Sequence, residues 1–391
     1  MEENKYSEKS LDELEFLLKE YQKKSSDFYN TEQGIKLTLN SIYGATGNQY
    51  FALFNTDVAE SVTLQGQDIW KFAEKIINRY FNDMWHLDTE LHEKMGVRNV
   101  RKITLDFIIY GDTDSNYINL GAVMDSCEFD SDLEPFEFVK RLNEFRLKEY
   151  IKKCYDIYSK KCGTDNYQDF ELESLSYAGI FLGKKKYVLH IAWQDPNKDL
   201  FPRLSKVKST GIELAQGGTA PFAREKLTFL LQHIFEKGKT FDIREFVKIL
   251  KNIKSEFKVQ SPDQISVGTS VNNIEKFIVN DTTKFEVAKG CPMHVRAAGY
   301  HNYLLNNSKH KVKYSLIRSS EKIKYYYVKV NNERENNVFG YLNGAYPYEL
   351  APPVDFDEQF NRVILDPINR FIEAMGYSPL SPNLLLVRAL F

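Results

Sequence analysis

The stretch "YGDTDS" occupies residues 110–115 and lies between two apolar runs, ITLDFII before it and NYINL after it. Two such runs around a Gly-Asp-Thr-Asp turn predict a β-hairpin over residues 103–120. Asp112 and Asp114 stand two residues apart on this turn, where like charges repel each other unless a cation neutralises them. Carboxylate oxygens suit a hard divalent ion such as Mg²⁺, which often binds substrate phosphates as well. Asp and Gly also favour turns for purely structural reasons, so the pair alone does not establish a metal site.

Composition indicates an ordinary soluble protein of two or three domains, with 391 residues, 42% hydrophobic and 27% charged. No apolar run approaches the roughly 20 residues that a membrane-spanning helix needs. The acidic, polar start MEENKYSEKS is unlike a signal peptide. The cysteines are widely spaced without a C-x-x-C pair, which favours free thiols in a reducing compartment. Cys291 and His294 lack a second pair of metal ligands, so a packed turn is favoured there.

Charge is distributed unevenly along the chain. Residues 120–173 hold 13 acidic and 8 basic side chains, a net of −5, whereas residues 184–254 hold 15 basic and 7 acidic ones, a net of +8. A basic stretch of this kind can neutralise phosphates. A solvated helix surface is the alternative interpretation for any single lysine.

Hydrophobic periodicity predicts several helices and strands. Leu11, Leu14, Leu18 and Tyr21 recur on one face of a first helix, and Ser10 with Glu13 forms a capping-box pattern at its start. Thr219 is the expected N-cap of a later helix with Pro221 in its first turn. Helices are expected over 10–30, 31–44, 57–85 and 135–161, strands over 171–193, a largely helical region from 212 onward, and short strands within 320–350.

Two further motifs combine charge with aromatic side chains. In "KLTLNSIYG", residues 36–44, Lys36, Asn40 and Tyr43 share one helical face. A lysine there can hold a triphosphate, and the tyrosine can stack on a base pair while Gly44 leaves room for it. "KKKY", residues 184–187, places three positive charges beside an aromatic ring, which suits a nucleic-acid backbone. Either motif alone is more often an ordinary charged surface.

The order of these motifs resembles the C-terminal half of family B DNA polymerases. K-x3-N-S-x-Y-G, Y-G-D-T-D-S, E-x10-K-K-x-Y and T-G-I-E follow one another in this chain. The segment KGCPMHVRAAGYHNYLL, residues 289–305, is similar to a thumb segment of the T4-type phage enzymes. The resemblance spans nearly the whole chain and implies DNA-templated DNA synthesis by two-metal phosphoryl transfer.

The resemblance also implies an architecture. We expect an α+β fold with a right-hand polymerase palm, in which helices pack on an antiparallel sheet. A mostly helical thumb and half of a helical fingers hairpin accompany the palm. The corresponding boundaries are fingers at 1–48, palm at 49–211, thumb at 212–380 and a C-terminal tail at 381–391.

Metal and triphosphate roles follow from the same resemblance. Asp114 matches the carboxylate that binds both catalytic Mg²⁺ ions, and Asp112 matches its supporting neighbour. Glu173 matches an acidic residue near the metal site. Lys36 matches the lysine that binds the triphosphate of the incoming dNTP.

The resemblance assigns the remaining site residues to base-pair and DNA contacts. Beneath the nascent base pair, the matching residues are Asn40, Tyr43 and Gly44. Residues that hold the primer end or the duplex backbone of the primer-template are matched by Lys184, Lys185, Lys186, Tyr187, Lys206 and Lys208.

Part of the family's active site has no counterpart in this sequence. The D-x-x-S-L-Y-P-S motif, which carries the family's other metal-binding aspartate, does not occur in it. We therefore expect the C-terminal subunit of a split polymerase, active only with a partner chain that brings the exonuclease, the first palm segment and the first fingers helix. The alternatives are an expression fragment of an intact polymerase and a non-catalytic DNA-binding or scaffold remnant of one. The T4-like segments imply a phage protein in the cytoplasm of an infected host, without membrane contact.

The C-terminus "NLLLVRALF", residues 383–391, loosely resembles the clamp-binding tail of T4-type polymerases. Its expected anchors on a sliding clamp are Leu385, Leu386, Leu390 and Phe391. The two prolines of the preceding "SPLSPN" suit a flexible, extended tether. A tail packed on the thumb is the alternative.

Overall fold

The computed structural model describes residues 9–112, 115–130, 133–194, 198–199, 206–212, 214, 216–329 and 336–385, without the side chains of 198, 199 and 206. The chain forms two compact units. The first comprises Met1–Asp130 and Lys153–Asp165, and the second comprises Ser131–Lys152 and Asn166–Phe391. Helices and small antiparallel sheets occur together, so the predicted α+β class is confirmed.

The first unit is mainly helical. Its helices are α1 (Leu11–Thr46), α2 (Thr56–Arg79), α3 (Thr89–Met95) and α4 (Gly121–Asp125). A π-helical turn, Tyr80–Met84, and a 3₁₀ turn, Trp85–Leu87, continue α2. Its short strands are β1 (Val97–Arg98), β2 (Ile108–Asp112), β3 (Ser115–Ile118) and β4 (Glu128–Phe129). These strands form two antiparallel pairs, β1 with β4 and β2 with β3.

Helix α1 replaces the two helices that the sequence predicted. It begins at the predicted capping box, where the Ser10 backbone N–H donates to the Glu13 carboxylate at 2.8 Å. The predicted break near residue 31 is wrong, because Gly34 costs only about 1 kcal/mol inside a helix and no proline follows it. None of the side chains of α1 is buried.

Helix α2 is amphipathic along its whole length but buried only in its second half. Ala73, Ile76 and Ile77 are buried, whereas Val58 and Val62 in the first half are exposed. Around the second half, large aromatic rings fill the core: Tyr80, Phe81, Trp85 and Phe107. The exposed first half of α2 therefore resembles α1 in having an uncovered apolar face.

The second unit begins with α5 (Pro135–Leu142), a π-helical turn (Asn143–Leu147) and α6 (Lys148–Lys161), whose last residues belong to the first unit. A four-stranded antiparallel sheet follows, consisting of β5 (Ser174–Gly183), β6 (Lys186–Gln194), β7 (Lys198–Asp199) and β8 (Lys206–Thr210). Strand β6 is central, since β5, β7 and β8 all pair with it. The predicted strands over 171–193 are confirmed.

The rest of this unit combines helices with a second sheet. Its elements are α7 (Pro221–Lys237), α8 (Ile243–Phe257), α9 (Pro262–Ile265), β9 (Val267–Ser270), α10 (Ile274–Phe277), β10 (Ile278–Asn280), β11 (Glu286–Val287), α11 (Met293–Asn306), β12 (Lys322–Tyr327), β13 (Val338–Leu342), α12 (Phe356–Phe360) and α13 (Asp366–Ala374). The second sheet has the order β13-β12-β9, which confirms the short strands predicted within 320–350. Helices α7, α8 and α13 bury one apolar cluster that includes Leu230, Phe246 and Ile368.

One detail of the helical region differs from the sequence prediction. The N-cap of α7 is Ala220 and not Thr219, and no side chain caps the helix there. Pro221 does occupy the first turn as predicted. Because proline has no N–H, one of the unpaired backbone donors at this end of the helix is absent.

No helix in the described part of the chain is both long enough and apolar enough to cross a membrane.

Candidate functional site

The Y-G-D-T-D-S segment forms the predicted hairpin, with strands shorter than the sequence suggested. Asp112 is the last residue of β2 and pairs with Ser115, the first residue of β3. The Ser115 hydroxyl donates to the Asp112 carbonyl oxygen at 3.1 Å. The ladder thus holds Asp112 at the end of a paired strand. Asp114 lies outside the described residues, so its role as the principal metal ligand stays a prediction.

The two faces of this hairpin differ. Tyr110 and Tyr117 pair across the strands with ring centroids 5.5 Å apart. Side chains alternate along a strand, so Asp112 lies on the face of these tyrosines and Gly111 lies on the other. The register of the ladder shifts between Ile108 and Tyr110, at a β-bulge or a similar irregularity.

The K-x3-N-S-x-Y-G motif lies entirely within α1, as its spacing predicted. Lys36, Asn40 and Tyr43 occupy one exposed face of the helix. The Lys36 ammonium lies 3.8 Å from the Glu32 carboxylate, and both side chains are two-thirds exposed. Such a pair is weak and easily exchanged for a phosphate. A Cβ added at Gly44 would meet nothing within 4 Å, so the space beside Tyr43 is open as expected.

The K-K-K-Y motif forms the tight turn between β5 and β6. Gly183 pairs with Lys186, which leaves Lys184 and Lys185 as the two turn residues. All three lysines are exposed. Tyr187 is only 6% exposed and packs on Phe181 at 5.5 Å between centroids. The lysines are therefore accessible to a phosphate backbone, whereas the Tyr187 ring is part of the packing of the sheet.

Strand β8 and Gly211 form a second basic motif, K-V-K-S-T-G at residues 206–211, which lies beside the first basic motif, K-K-K-Y. Tyr187 pairs with Thr210, and Leu189 pairs with Lys208. Gly211 follows with a left-handed φ of +64°. A Cβ there would lie 1.8 Å from the Lys185 carbonyl oxygen, so the backbones of the two motifs touch. Lys206 pairs with Ile191 in the ladder, although its side chain is among those not described.

Glu173 immediately precedes β5 and forms an ion pair with a lysine of β8. Its carboxylate lies 3.9 Å from the Lys208 ammonium, and 72% of the Glu173 side chain is exposed. In the described ranges, no group of three or more His, Cys, Asp or Glu side chains lies close enough to hold a metal ion. Asp112 and Glu173 are oxygen donors of the kind that Mg²⁺ prefers. The two-Mg²⁺ prediction still depends on Asp114.

The predicted clamp-binding tail is only partly described. Leu385 is 7% exposed and belongs to the apolar cluster of α7, α8 and α13, which favours the packed alternative for this residue. Leu380 is also anchored, because the Asn369 amide bonds both its N–H and its carbonyl at 2.8 and 3.0 Å. A flexible tether is therefore wrong for Leu380, because both of its backbone groups are hydrogen-bonded. The other expected anchors, Leu386, Leu390 and Phe391, lie outside the described residues.

Sequence reasoning missed the residues that support the hairpin from behind. Trp70 of α2 lies against Gly111, and its indole N–H donates to the Ser115 carbonyl oxygen at 3.1 Å. Asn78 and Asn82 bond to the chain just before β2. The spacing of the two asparagines, four residues apart on a helix next to the hairpin, was the available signal.

Comparison with known proteins gives one consistent result. The model of the family described as DNA polymerase family B matches residues 14–132, which include both the motif of α1 and the hairpin. The chain is 26% identical over 286 residues to the DNA-directed DNA polymerase of Enterobacteria phage T4, covering 70% of this chain and 29% of that protein. It is 25% identical over 325 residues to the DNA-directed DNA polymerase of Escherichia phage RB69, covering 80% and 32%. Among cellular proteins, the DNA polymerase alpha catalytic subunit of Arabidopsis thaliana is 25% identical over 233 residues, covering 58% and 12%.

The alignments with the two phage enzymes cover most of this chain but only about a third of the length of those relatives. The family match and the alignments together include the motifs of both structural units. Residues 14–132 therefore match the family B DNA polymerases, and most of the chain is similar to the polymerases of phages T4 and RB69.

Proposed function

We propose that this chain takes part in DNA-templated DNA synthesis, in which dNTPs are joined to the 3′ end of a primer. The main observation in favour of this proposal is that one family match spans both the lysine-bearing motif of α1 and the Y-G-D-T-D-S hairpin. The structure supports the proposal by placing Asp112 at the end of a paired strand and Lys36 on an accessible helical face.

Each residue has a definite task in this proposal. Lys36 neutralises the triphosphate of the incoming dNTP, and Asn40 and Tyr43 contact the nascent base pair beside the open space at Gly44. Asp114, Asp112 and Glu173 would hold two Mg²⁺ ions. When bound, these ions supply a lowered pKa at the primer hydroxyl and neutralise charge on the leaving pyrophosphate.

The adjoining basic motifs are proposed to hold the DNA backbone. Lys184, Lys185 and Lys186 are exposed at the β5–β6 turn, and Lys208 lies two strands from β5, on β8. Phosphate contacts of this type release counterions, so binding should weaken as salt rises. Loss of one lysine should reduce the salt dependence by about one unit of slope.

We also propose that a second polypeptide covers α1 and completes the active site. A helix gains most of its stability from packing an apolar face, yet α1 buries no side chain. Its exposed apolar residues include Leu11, Phe16, Leu18, Tyr21, Phe28 and Ile42. The partner would bring the exonuclease, the first palm segment and the first fingers helix, through an obligate interface of more than about 2,000 Å².

The proposed domains are fingers at 1–48, palm at 49–211 and thumb at 212–380, in a protein of the phage-infected host cytoplasm. Two alternatives would also explain why the chain carries only part of an active site. The chain is an expression fragment of an intact polymerase, or it is a non-catalytic DNA-binding scaffold. A sliding clamp is a proposed partner of the tail through Leu386, Leu390 and Phe391.

Primer extension tests the catalytic proposal. The purified chain is assayed alone and after co-expression with a candidate polypeptide that carries D-x-x-S-L-Y-P-S. We expect no synthesis by the chain alone and templated synthesis by the complex. Robust synthesis by the chain alone would refute the need for a partner. DNA binding without synthesis in the complex would favour the scaffold.

A charge substitution on α1 tests the docking proposal. Leu18→Asp should abolish co-purification with the partner, because a charge would replace an apolar side chain in the interface. Lys19→Asp, at the next exposed position of the same helix, is the matched control and should retain the partner. Equal retention of the partner by both variants would show that this face is not the interface.

A further inference from the structure

The ring of Trp70 occupies the place where a side chain at residue 111 would be. A Cβ built on Gly111 would lie 2.2 Å from Cζ2 of the indole and 2.3 Å from both Cε2 and Nε1. The φ angle of Gly111 is not in the left-handed region, so its backbone does not itself require glycine. The glycine of Y-G-D-T-D-S is therefore explained by the close approach of Trp70.

Trp70 also bonds the opposite strand of the hairpin. Its indole N–H donates to the Ser115 carbonyl oxygen at 3.1 Å, and the Ser115 hydroxyl donates to the Asp112 carbonyl oxygen at 3.1 Å. One side chain thus contacts both strands at the point where they lead into the aspartate turn.

Two asparagines fix the same helical face to the preceding segment. Asn78 accepts from the Phe107 backbone N–H at 2.8 Å. Asn82 bonds both the N–H and the carbonyl of Leu105, at 2.8 and 2.9 Å. Trp70, Asn78 and Asn82 are separated by multiples of four residues, so they lie along one side of α2 and its π-helical extension. The hairpin is held on that side from residue 105 to residue 115.

We propose that Trp70 is a positioning residue that sets the place of Asp112 and Ser115, the strand ends of the hairpin, on α2. This inference rests on the proposed polymerase function of the hairpin. The asparagines fix the base of β2, and the indole fixes the end next to the turn. Without the indole, the hairpin loses its contact with α2 at Gly111 and Ser115, and the strand ends can shift. Displacement of a catalytic group by about 1 Å can cost on the order of 100-fold in rate.

A double-mutant cycle tests the contact without any assay of activity. Urea unfolding is measured for Gly111→Ala, Trp70→Ala and the double variant. Gly111→Ala should lower the midpoint clearly in the parent chain and only slightly when Trp70 is already Ala, because the ring is then absent. Gly66→Ala in the same helix, where an added Cβ meets nothing within 4 Å, is the control and should lower nothing. Additive costs in the cycle would overturn the proposal.

Kinetics of the complex test the positioning role. Trp70→Phe keeps an apolar ring but removes the N–H donor, and Trp70→Ala removes both. We expect kcat to be highest in the parent, lower in Trp70→Phe and lowest in Trp70→Ala. The Mg²⁺ concentration that gives the half-maximal rate should rise in the same order. The affinity for primer-template and the KM for dNTP should stay unchanged. A parallel loss of DNA affinity and kcat would overturn the role. If the parent complex makes no DNA, the proposed function has failed, while the unfolding cycle still decides the Trp70–Gly111 contact.

Discussion

Gly211 offers a direct test of how the two basic motifs are joined. It follows β8, has a left-handed φ of +64°, and an added Cβ would lie 1.8 Å from the Lys185 carbonyl oxygen. Substitution by alanine therefore introduces two separate penalties. One is the backbone conformation, and the other is a collision with the turn that carries the exposed lysines.

The size of each penalty follows from the geometry. An alanine held in the left-handed region costs roughly 1–2 kcal/mol. The collision is with backbone rather than with a flexible side chain, so the β5–β6 turn or β8 must move, at about 1–3 kcal/mol for an overpacked site. We expect Gly211→Ala to reduce the free energy of unfolding by about 2–5 kcal/mol in total.

Urea denaturation of the purified chain measures this loss. Gly344→Ala is the matched control in the same unit, because its φ is +83° and an added Cβ meets nothing within 4 Å. The control should show the conformational penalty alone, and the difference between the two variants gives the collision. If Gly211→Ala costs no more than Gly344→Ala, the close approach of the two motifs is wrong.

Three further outcomes are expected. In the reconstituted complex, Asp114→Ala should remove nucleotide addition and leave DNA binding nearly intact, with Asp112→Ala milder; the reverse order in extension assays would contradict the assigned roles. Deleting Leu384–Phe391 should shorten clamp-dependent products without changing short-primer extension, and surviving clamp stimulation would show that the tail is structural. Burial lowers the pKa of His301 below its ordinary value, so its contribution to stability is complete above about pH 6.5 and is lost as pH falls further. The urea concentration at the unfolding midpoint should fall as pH is lowered below about 6.5, and it should fall less in His301→Gln than in the parent. An equal dependence of the midpoint on pH in both proteins would contradict this.

Local sequence patterns predicted most elements of this fold. The capping box of α1, the hairpin at 110–115 and the strands around K-K-K-Y formed where the sequence placed them, because short-range chemistry determines them. The continuity of α1 through Gly34 was missed, although a single glycine weakens a helix without ending it. Burial of Leu385 was unpredictable, because it depends on a cluster formed by distant helices.

The sequence predicted which elements carry the candidate residues, but not the contacts around them. Asp112, Lys36 and the three lysines of K-K-K-Y lie on the elements that the motifs indicated. The approach of Trp70 to Gly111 and of Gly211 to Lys185 involves residues far apart in the sequence. In both cases another part of the chain occupies the space where a side chain at the glycine would lie. Hydrophobic periodicity cannot predict such a contact, because the sequence shows only that a glycine is present and not what packs against it.

Helix α1 shows that a stripe of apolar residues predicts a helix but does not predict what covers its apolar face. Leu11, Leu18 and Tyr21 recur at helical spacing, and the helix formed as that spacing predicts, yet none of them is buried. Periodicity fixes which side chains share a face, whereas burial requires a second surface of matching shape. The second half of α2 finds that surface within the first unit, through Ile76 and the aromatic core, and its first half does not. Exposed apolar area of this extent is costly in water. The uncovered faces of α1 and of the start of α2 therefore argue physically for a further polypeptide segment that packs there, as the proposed fingers partner would.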